Sequence, residues 1–332
     1  MTSFNVRTLD AASGRAIISD YAAHVLSWVP AGGQEVIWTP STLRFEEGQH
    51  LGGGVPICFP WFGPGFTHGH QTAKNPIHGF ARARNWRFDE QSFTGDHARF
   101  ILDAAQLQPR DAPWLDDEPA SDFRAVYDVT LGGGSAVAEA QTAASGVHVP
   151  PESANGSPVI VSVPSRSLSS QSLPSQPLTM ALTVTNTGDK PMTFEAALHS
   201  YLHVGDVAGA RLSGLEGATY LDATETGFPP KTQDTSEVAF GDFEVNRVYY
   251  SDASLELHDD VLGRTIHIAK SGSPQTVVWN PGKAGGETMS DTRPDAAEWR
   301  GFAAVEAAVC RDRAVTLAPG ASHTLSQTLT VA

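Results

Sequence analysis

Short segments in which apolar and polar residues alternate recur along nearly the whole chain, and they restrict the fold more than any other feature. "ARFILDA", "DFRAVYDVTL", "LTMALTVTNTG", "TIHIA" and "QTVVWNPG" are rich in Val, Thr, Ile and Phe with period-two patterning. "RAIISDYAAHVLSWV", "EVIWT", "MTFEAALHSYLHV" and "AVTLAPGASHTLSQTLTV" share that texture. A period of two turns one face of a segment to a core and the other to solvent, as in a half-buried strand. Turn residues separate the segments, as in "NTGDKP", "APGAS" and "SGSPQ". Helical periodicity is nearly absent, and "RPDAAEWRGF" offers a turn or two at most. The expected fold class is all-β and mostly antiparallel, and 332 residues can form one large sandwich.

One stretch departs from this texture. No aromatic residue lies between Tyr127 and Phe194, and residues 133–178 are dominated by Ser, Ala, Gly, Pro and Gln. Such a composition buries too little apolar surface to offset its ordering entropy. It reads as a surface insertion between two adjacent strands, "FRAVYDVTL" and "LTMALTVTN", within a single domain covering 1–332. A linker between two domains is the competing reading.

The net charge of −15 opposes binding to nucleic acid or to an anionic membrane surface, while small neutral or locally paired anionic ligands stay compatible. "MTSFNVRTLD" has no basic region followed by an apolar run, and no segment approaches eighteen uninterrupted apolar residues. These features suggest a soluble, cytoplasmic protein. The two cysteines, Cys58 and Cys310, are expected to be buried thiols, since nothing resembles a metal-binding pair.

Candidate chemistry sits in four unusual segments: "GGGVPICFPWFGP" (52–64), "HGFARARNW" (78–86), "ALHSYLHVGD" (197–206), and "VVWNPG" followed by "MSD" and "FAAVEAAV". The Gly/Pro/aromatic loop suits either a rigid plug of the core or a pocket rim that stacks a ring-shaped ligand. His199 and His203 stand four apart in a strand pattern, a span of about 13 Å, so they cannot share a metal. His68 and His70, ahead of His78, are expected to face solvent. Singly, each group has a structural explanation: a satisfied core histidine for His199, a surface salt-bridge arm for Arg82, and a carboxylate paired to Arg311 or Arg313 for Glu306.

As an ordered set these segments resemble the glucose-6-phosphate 1-epimerases (hexose-6-phosphate mutarotases) of the aldose 1-epimerase, galactose mutarotase-like superfamily. The family pattern is an RGG(I/V)P-x-x-(F/W)P-x-FG loop, HGFAR-x-x-x-W, LH(T/S)Y(F/L)-x-(V/I)GD, WNP with a following M-x-D, and a VE-containing strand. The match covers about residues 15 to 330, apart from the Ser/Pro-rich insertion. The resemblance implies a galactose mutarotase-like antiparallel β-sandwich with few short helices. It implies His199 as general acid and Glu306 as general base, with His78 and Arg82 binding substrate. Asp206, Trp279 and Asn280 fall in segments that support or line the pocket.

Anomer interconversion needs one base at the anomeric hydroxyl and one acid at the ring oxygen. It requires neither metal nor organic cofactor, and an aromatic loop bearing Phe59, Trp61 and Phe62 suits the sugar ring. The implied partner is a small-molecule hexose or hexose phosphate.

Two departures bear on substrate. Gly52 stands where the family has an arginine, and Asn246 where it commonly has an aspartate. A phosphate usually needs two or more charge-assisted donors. With Arg82 retained, Arg84, Arg44 or Lys74 are the candidates to replace the missing cation. Three readings stay open: a mutarotase on hexose 6-phosphates, an aldose 1-epimerase on unphosphorylated sugars, and a non-catalytic carbohydrate-binding protein.

Overall fold

The computed structural model describes residues 4–41, 43–67, 69–107, 122–132, 176–289 and 297–332. The 133–178 insertion therefore lies almost entirely outside the described residues, as do His68 and the Ser290-Asp291 part of "MSD". Its expected flanks are antiparallel neighbours: Phe123–Leu131 and Leu178–Asn186 pair from Leu131 opposite Leu178 to Phe123 opposite Asn186. Ala125, Tyr127, Val129, Met180, Leu182 and Val184 are the buried positions of that alternation. On the other face, hydroxyls pair across strands: Thr179 with Thr328, Thr183 with Thr324, and Thr185 with Ser322. Such cross-strand pairs each contribute about 0.2–1 kcal/mol.

These strands belong to a nine-stranded sheet. Its order is Glu237–Ala239, Ala210–Ser213, Leu255–Asp259, Arg264–Ser271, Ser322–Val331, Leu178–Asn186, Phe123–Leu131, His97–Asp103 and Arg87–Phe88. The second large sheet runs Pro230–Thr232, Thr219–Asp222, Val245–Tyr249, Gln275–Asn280, Phe302–Val309, Ala196–Leu198 and Ile57–Cys58. Tyr201–His203 also pairs with Phe302–Val309. Pairing within both sheets is antiparallel.

One core fills the space between the sheets, where Tyr127, Met180, Leu182 and Leu325 join Leu198, Phe302, Val305 and Ala307. Gln327 crosses this core: its amide donates to the Val305 carbonyl at 2.9 Å and its side-chain oxygen accepts from the Ser200 hydroxyl. The architecture is an antiparallel β-sandwich.

Local readings differ in three places. "RAIISDYAAHVLSWV" is two strands, Gly14–Ser19 and His24–Pro30, broken where Ala22 and Ala23 adopt φ of 66° and 48°. "EVIWT" contributes only the isolated bridge of Ile37 with Leu202. Its Glu35 carboxylate accepts from the Trp28, Val36 and Ile37 N–H groups, which occupies donors a ladder would use. Within "RPDAAEWRGF" the described part is a 3-10 turn, Glu298–Gly301. The α-helix of the described residues is a single short one, Gly282–Gly286. No helix among the described residues is long and apolar enough to cross a membrane.

Cys58 and Cys310 are free and buried, as expected. They pack with Ala197, Val248, Val277 and Ala308 in a second, smaller apolar cluster.

Candidate active site

Alternation along Phe302–Val309 sends Ala303, Val305 and Ala307 into the main core, so Ala304, Glu306 and Ala308 face the other way. Every residue of this strand is buried because loops cover that second face too.

Strand register then assembles the site. Val248 lies opposite Val277, and Val277 opposite Glu306. Leu198 with Ala307 and Tyr201 with Ala304 keep one register, which puts His199 beside Glu306. The adjacent row is Asn246, Trp279, Ala304 and Tyr201. Four strands far apart in sequence thus place residues 199, 246, 279 and 306 on one surface.

His199 Nε2 stands 3.4 Å from Glu306 Oε1. Glu306 is 1% exposed, and its Oε2 has no hydrogen-bond partner. Burial pushes this carboxyl well above the ordinary 4.5, with the Arg82 charge opposing the shift. A buried carboxylate oxygen left without a donor is costly to a fold unless a ligand completes it. The His199 ring stacks on Tyr201 at 4.7 Å and 10°, and meets His78 and Trp279 edge-on at 5.7 and 5.8 Å.

His78 is locked to the aromatic loop in both directions. Its N–H donates to the Gly63 carbonyl at 2.7 Å, and the Gly63 N–H donates to its Nδ1 at 3.1 Å. Burial drives its pKa well below 6.5, aided by the Arg82 charge, so the ring is neutral and its proton sits on Nε2. The neutral ring therefore keeps one N–H donor, at Nε2. Its φ of 65° is a strained value for a non-glycine residue. The following Gly79, φ 77°, passes so close to the Phe59 carbonyl that an added Cβ would lie 2.0 Å from the oxygen.

His78, Arg82, His199, Asn246, Trp279 and Glu306 line one cavity of about 400 Å³, within the range of small-molecule sites. Phe62, Phe66, Tyr201, Phe228, Met289 and Arg311 complete its walls.

Four residues expected at or around the substrate do not line this cavity. Phe59 is fully buried against Phe80, Phe123 and Phe194, and Trp61 packs on Phe80 while its indole N–H donates to the Pro76 carbonyl at 2.8 Å. Fully burying such side chains contributes about 1.5–3 kcal/mol each. These two rings serve the core, and Phe62 is the one of the three that reaches the cavity. Asp206 caps the Val207–Gly209 turn and pairs with Arg300 at 3.0 Å. Asn280 is fully buried, donating to the Trp299 and Phe302 carbonyls at 2.9 and 2.8 Å and accepting from the Gly282 N–H at 2.9 Å. Asn280→Ala should cost about 1–3 kcal/mol of stability for the buried carbonyls left without donors. Urea denaturation checks this, and an unchanged midpoint would contradict it.

None of Arg44, Lys74 and Arg84 lines the cavity. His70 is exposed, His203 is held by the Glu35 carbonyl at 3.3 Å, and no group of three His, Cys, Asp or Glu side chains among the described residues is gathered for a metal. Glu306 is not paired to Arg311 or Arg313: Arg313 meets Asp312, and Arg311 stacks on Phe66 and Phe228. The sequence reading missed Phe66, Phe228 and Arg311 as cavity residues. The available signal was that Arg311 closes the strand carrying Glu306.

The sequence model of aldose 1-epimerases matches residues 6–114 and 166–330. The chain belongs to the aldose 1-epimerase family. It is an isomerase of the mutarotase type, and its substrate is a small-molecule sugar. Two similar proteins are both named "Putative glucose-6-phosphate 1-epimerase". One, from Cenchrus ciliaris, is 29% identical over 90% of this chain and 76% of its own length. The other, from Escherichia coli (strain K12), is 27% identical over 93% of this chain and 84% of its own length. The crystal structure of a "putative mutarotase" from Salmonella typhimurium superimposes with a TM-score of 0.73 at 25% identity, covering 100% of this chain and 92% of that one. A galactose mutarotase-like protein from Lactobacillus casei shares the fold, with a TM-score of 0.66 at 16% identity over 99% of this chain and 100% of that one.

Proposed function

We propose that this epimerase interconverts the α and β anomers of a hexose 6-phosphate, with Glu306 as general base and His199 as general acid. The observation that carries the reading is the buried, unpartnered Glu306 Oε2 opening on a sugar-sized cavity, with an imidazole 3.4 Å from the other carboxylate oxygen. Glu306 takes the proton from the anomeric hydroxyl O1 while His199 gives one to the ring oxygen O5. The C1–O5 bond breaks as the C1=O1 double bond forms. Rotation about C1–C2 presents the other face of the aldehyde to the C5 hydroxyl. Ring closure then returns both protons in reverse, with no net change.

O1 and O5 are both bonded to C1, so an acid and a base must stand side by side, which suits neighbours on adjacent strands. We assign His78 Nε2–H and Asn246 to sugar hydroxyls, and Trp279 and Phe62 to the apolar face of the ring; their common presence in the cavity wall supports this. The raised pKa of Glu306 makes it a stronger base than an exposed carboxylate.

The names of the two relatives support a phosphorylated sugar, as does the presence of two arginines, Arg82 and Arg311, in the cavity wall. We also read residues 1–332 as one domain carrying 133–178 as an insertion. The pairing of its flanking strands and the gap in the family match between 114 and 166 support this.

Anomer exchange followed by NMR on glucose 6-phosphate, glucose and galactose is the test. The phosphate ester should show the highest kcat/KM. Equal values for glucose would replace it with an unphosphorylated aldose, and no acceleration on any sugar would favour a binding protein.

A further inference from the structure

We infer that Arg311 is the second cation for the substrate phosphate, taking over the role left empty at Gly52, and that Glu195 positions it. This rests on the hexose-phosphate reading above.

In this acidic chain Arg7, Arg99, Arg124, Arg211 and Arg300 are each matched to an aspartate. The two arginines of the cavity are not. Arg82 spends one Nη2 donor on the Ile77 carbonyl at 2.8 Å, and no carboxylate among the described residues pairs with either guanidinium. Arg311 is instead fixed by stacking, its guanidinium carbon 4.7 Å from the centre of Phe66 and 4.4 Å from that of Phe228, both cavity residues. Stacking holds the planar group while leaving its N–H donors unused, the state that suits bidentate recognition of a phosphate.

The backbone carries the same signature. Six described non-glycine residues have positive φ, and three of them, His78, Phe228 and Arg311, line this cavity. Arg311, at φ 57°, is kept there by Glu195, whose Oε1 accepts its N–H at 2.6 Å. The other oxygen of Glu195 accepts the Phe62 and Phe66 N–H groups at 3.3 and 3.0 Å. One carboxylate, 3% exposed, thus ties the turn bearing Arg311 to the loop bearing its stacking partner. It holds both walls of the cavity at a fixed distance.

Calorimetric titration of the full chain with glucose 6-phosphate and with glucose tests this, alongside turnover of both. Arg311→Ala should lower the affinity ratio of phosphorylated to free sugar by about 10- to 100-fold, the worth of charge-assisted hydrogen bonds to one guanidinium. Arg311→Lys should recover part of it, keeping the charge without the stack. Glu195→Gln should lower the same ratio, and should lower it no further in the Arg311→Ala background, because it acts through Arg311.

An unchanged ratio in Arg311→Ala, with turnover still favouring glucose 6-phosphate, overturns the Arg311 assignment alone. Arg311-dependent binding with equal turnover of both sugars overturns the substrate reading alone. No binding of glucose 6-phosphate by the wild type overturns both.

Discussion

Replacing Glu306 with glutamine should slow anomer exchange by about 10²- to 10⁴-fold and at the same time raise the melting temperature. The two effects share a cause. The carboxyl is buried with one oxygen unpartnered, and its folded-state pKa lies well above the ordinary 4.5. A raised carboxyl pKa means that ionisation weakens the folded state. The stability contributed by the protonated form is fully present below the unfolded pKa and is lost as pH rises through the folded one.

Glutamine is neutral at every pH, so its advantage over the wild type should be absent in acid and grow as pH rises through that window. Activity runs the other way, because the base works only when ionised. The acid limb of kcat/KM should therefore lie above the usual carboxylate range in the wild type and vanish in the variant. NMR exchange rates and melting curves at several pH values decide it. A glutamine variant with wild-type rates would remove Glu306 from the mechanism. One melting lower at neutral pH would show that the carboxylate is held by more than the structure accounts for.

The sheet class was legible because long strands such as Phe123–Leu131 and Leu178–Asn186 keep period-two burial along their whole length. Between residues 210 and 259 the strands passed unread. Pro230–Thr232 is almost all exposed and only three residues long, and Glu237–Ala239 buries one side chain, so neither shows a period. Phe302–Val309 is buried on both faces, which erases alternation at the very strand that carries Glu306.

His199 and Glu306, the proposed acid and base, came from ordered motifs, and the register of the sheet brings those distant motifs side by side. The "GGGVPICFPWFGP" loop was read with too little resolution. The loop divides by residue: Phe59 and Trp61 plug the core, while Phe62 lines the cavity. Arg311 and Glu195 had no motif, because their roles arise from hydrogen bonds across more than a hundred residues of sequence.

His199→Ala should slow exchange to a similar degree, about 10²- to 10⁴-fold, and here the choice of readout separates proton transfer from packing. The imidazole fills a slot bounded by Tyr201 at 4.7 Å, His78 at 5.7 Å and Trp279 at 5.8 Å. Alanine leaves that slot open beside Glu306, with rigid rings on three sides. Added imidazole is therefore expected to bind there and restore part of the rate, saturating with concentration. A purely structural histidine would give no such rescue.

The choice of rescuing base supplies a second criterion. Imidazole and 4-methylimidazole should restore the rate, while an apolar ring of similar size should fill the slot without restoring it. That contrast would tie the proton on O5 to this position. A variant that keeps wild-type turnover, or one whose slow rate ignores every added imidazole while its fold is intact, would leave the ring-oxygen proton to another group of the same cavity, such as Tyr201 or His78.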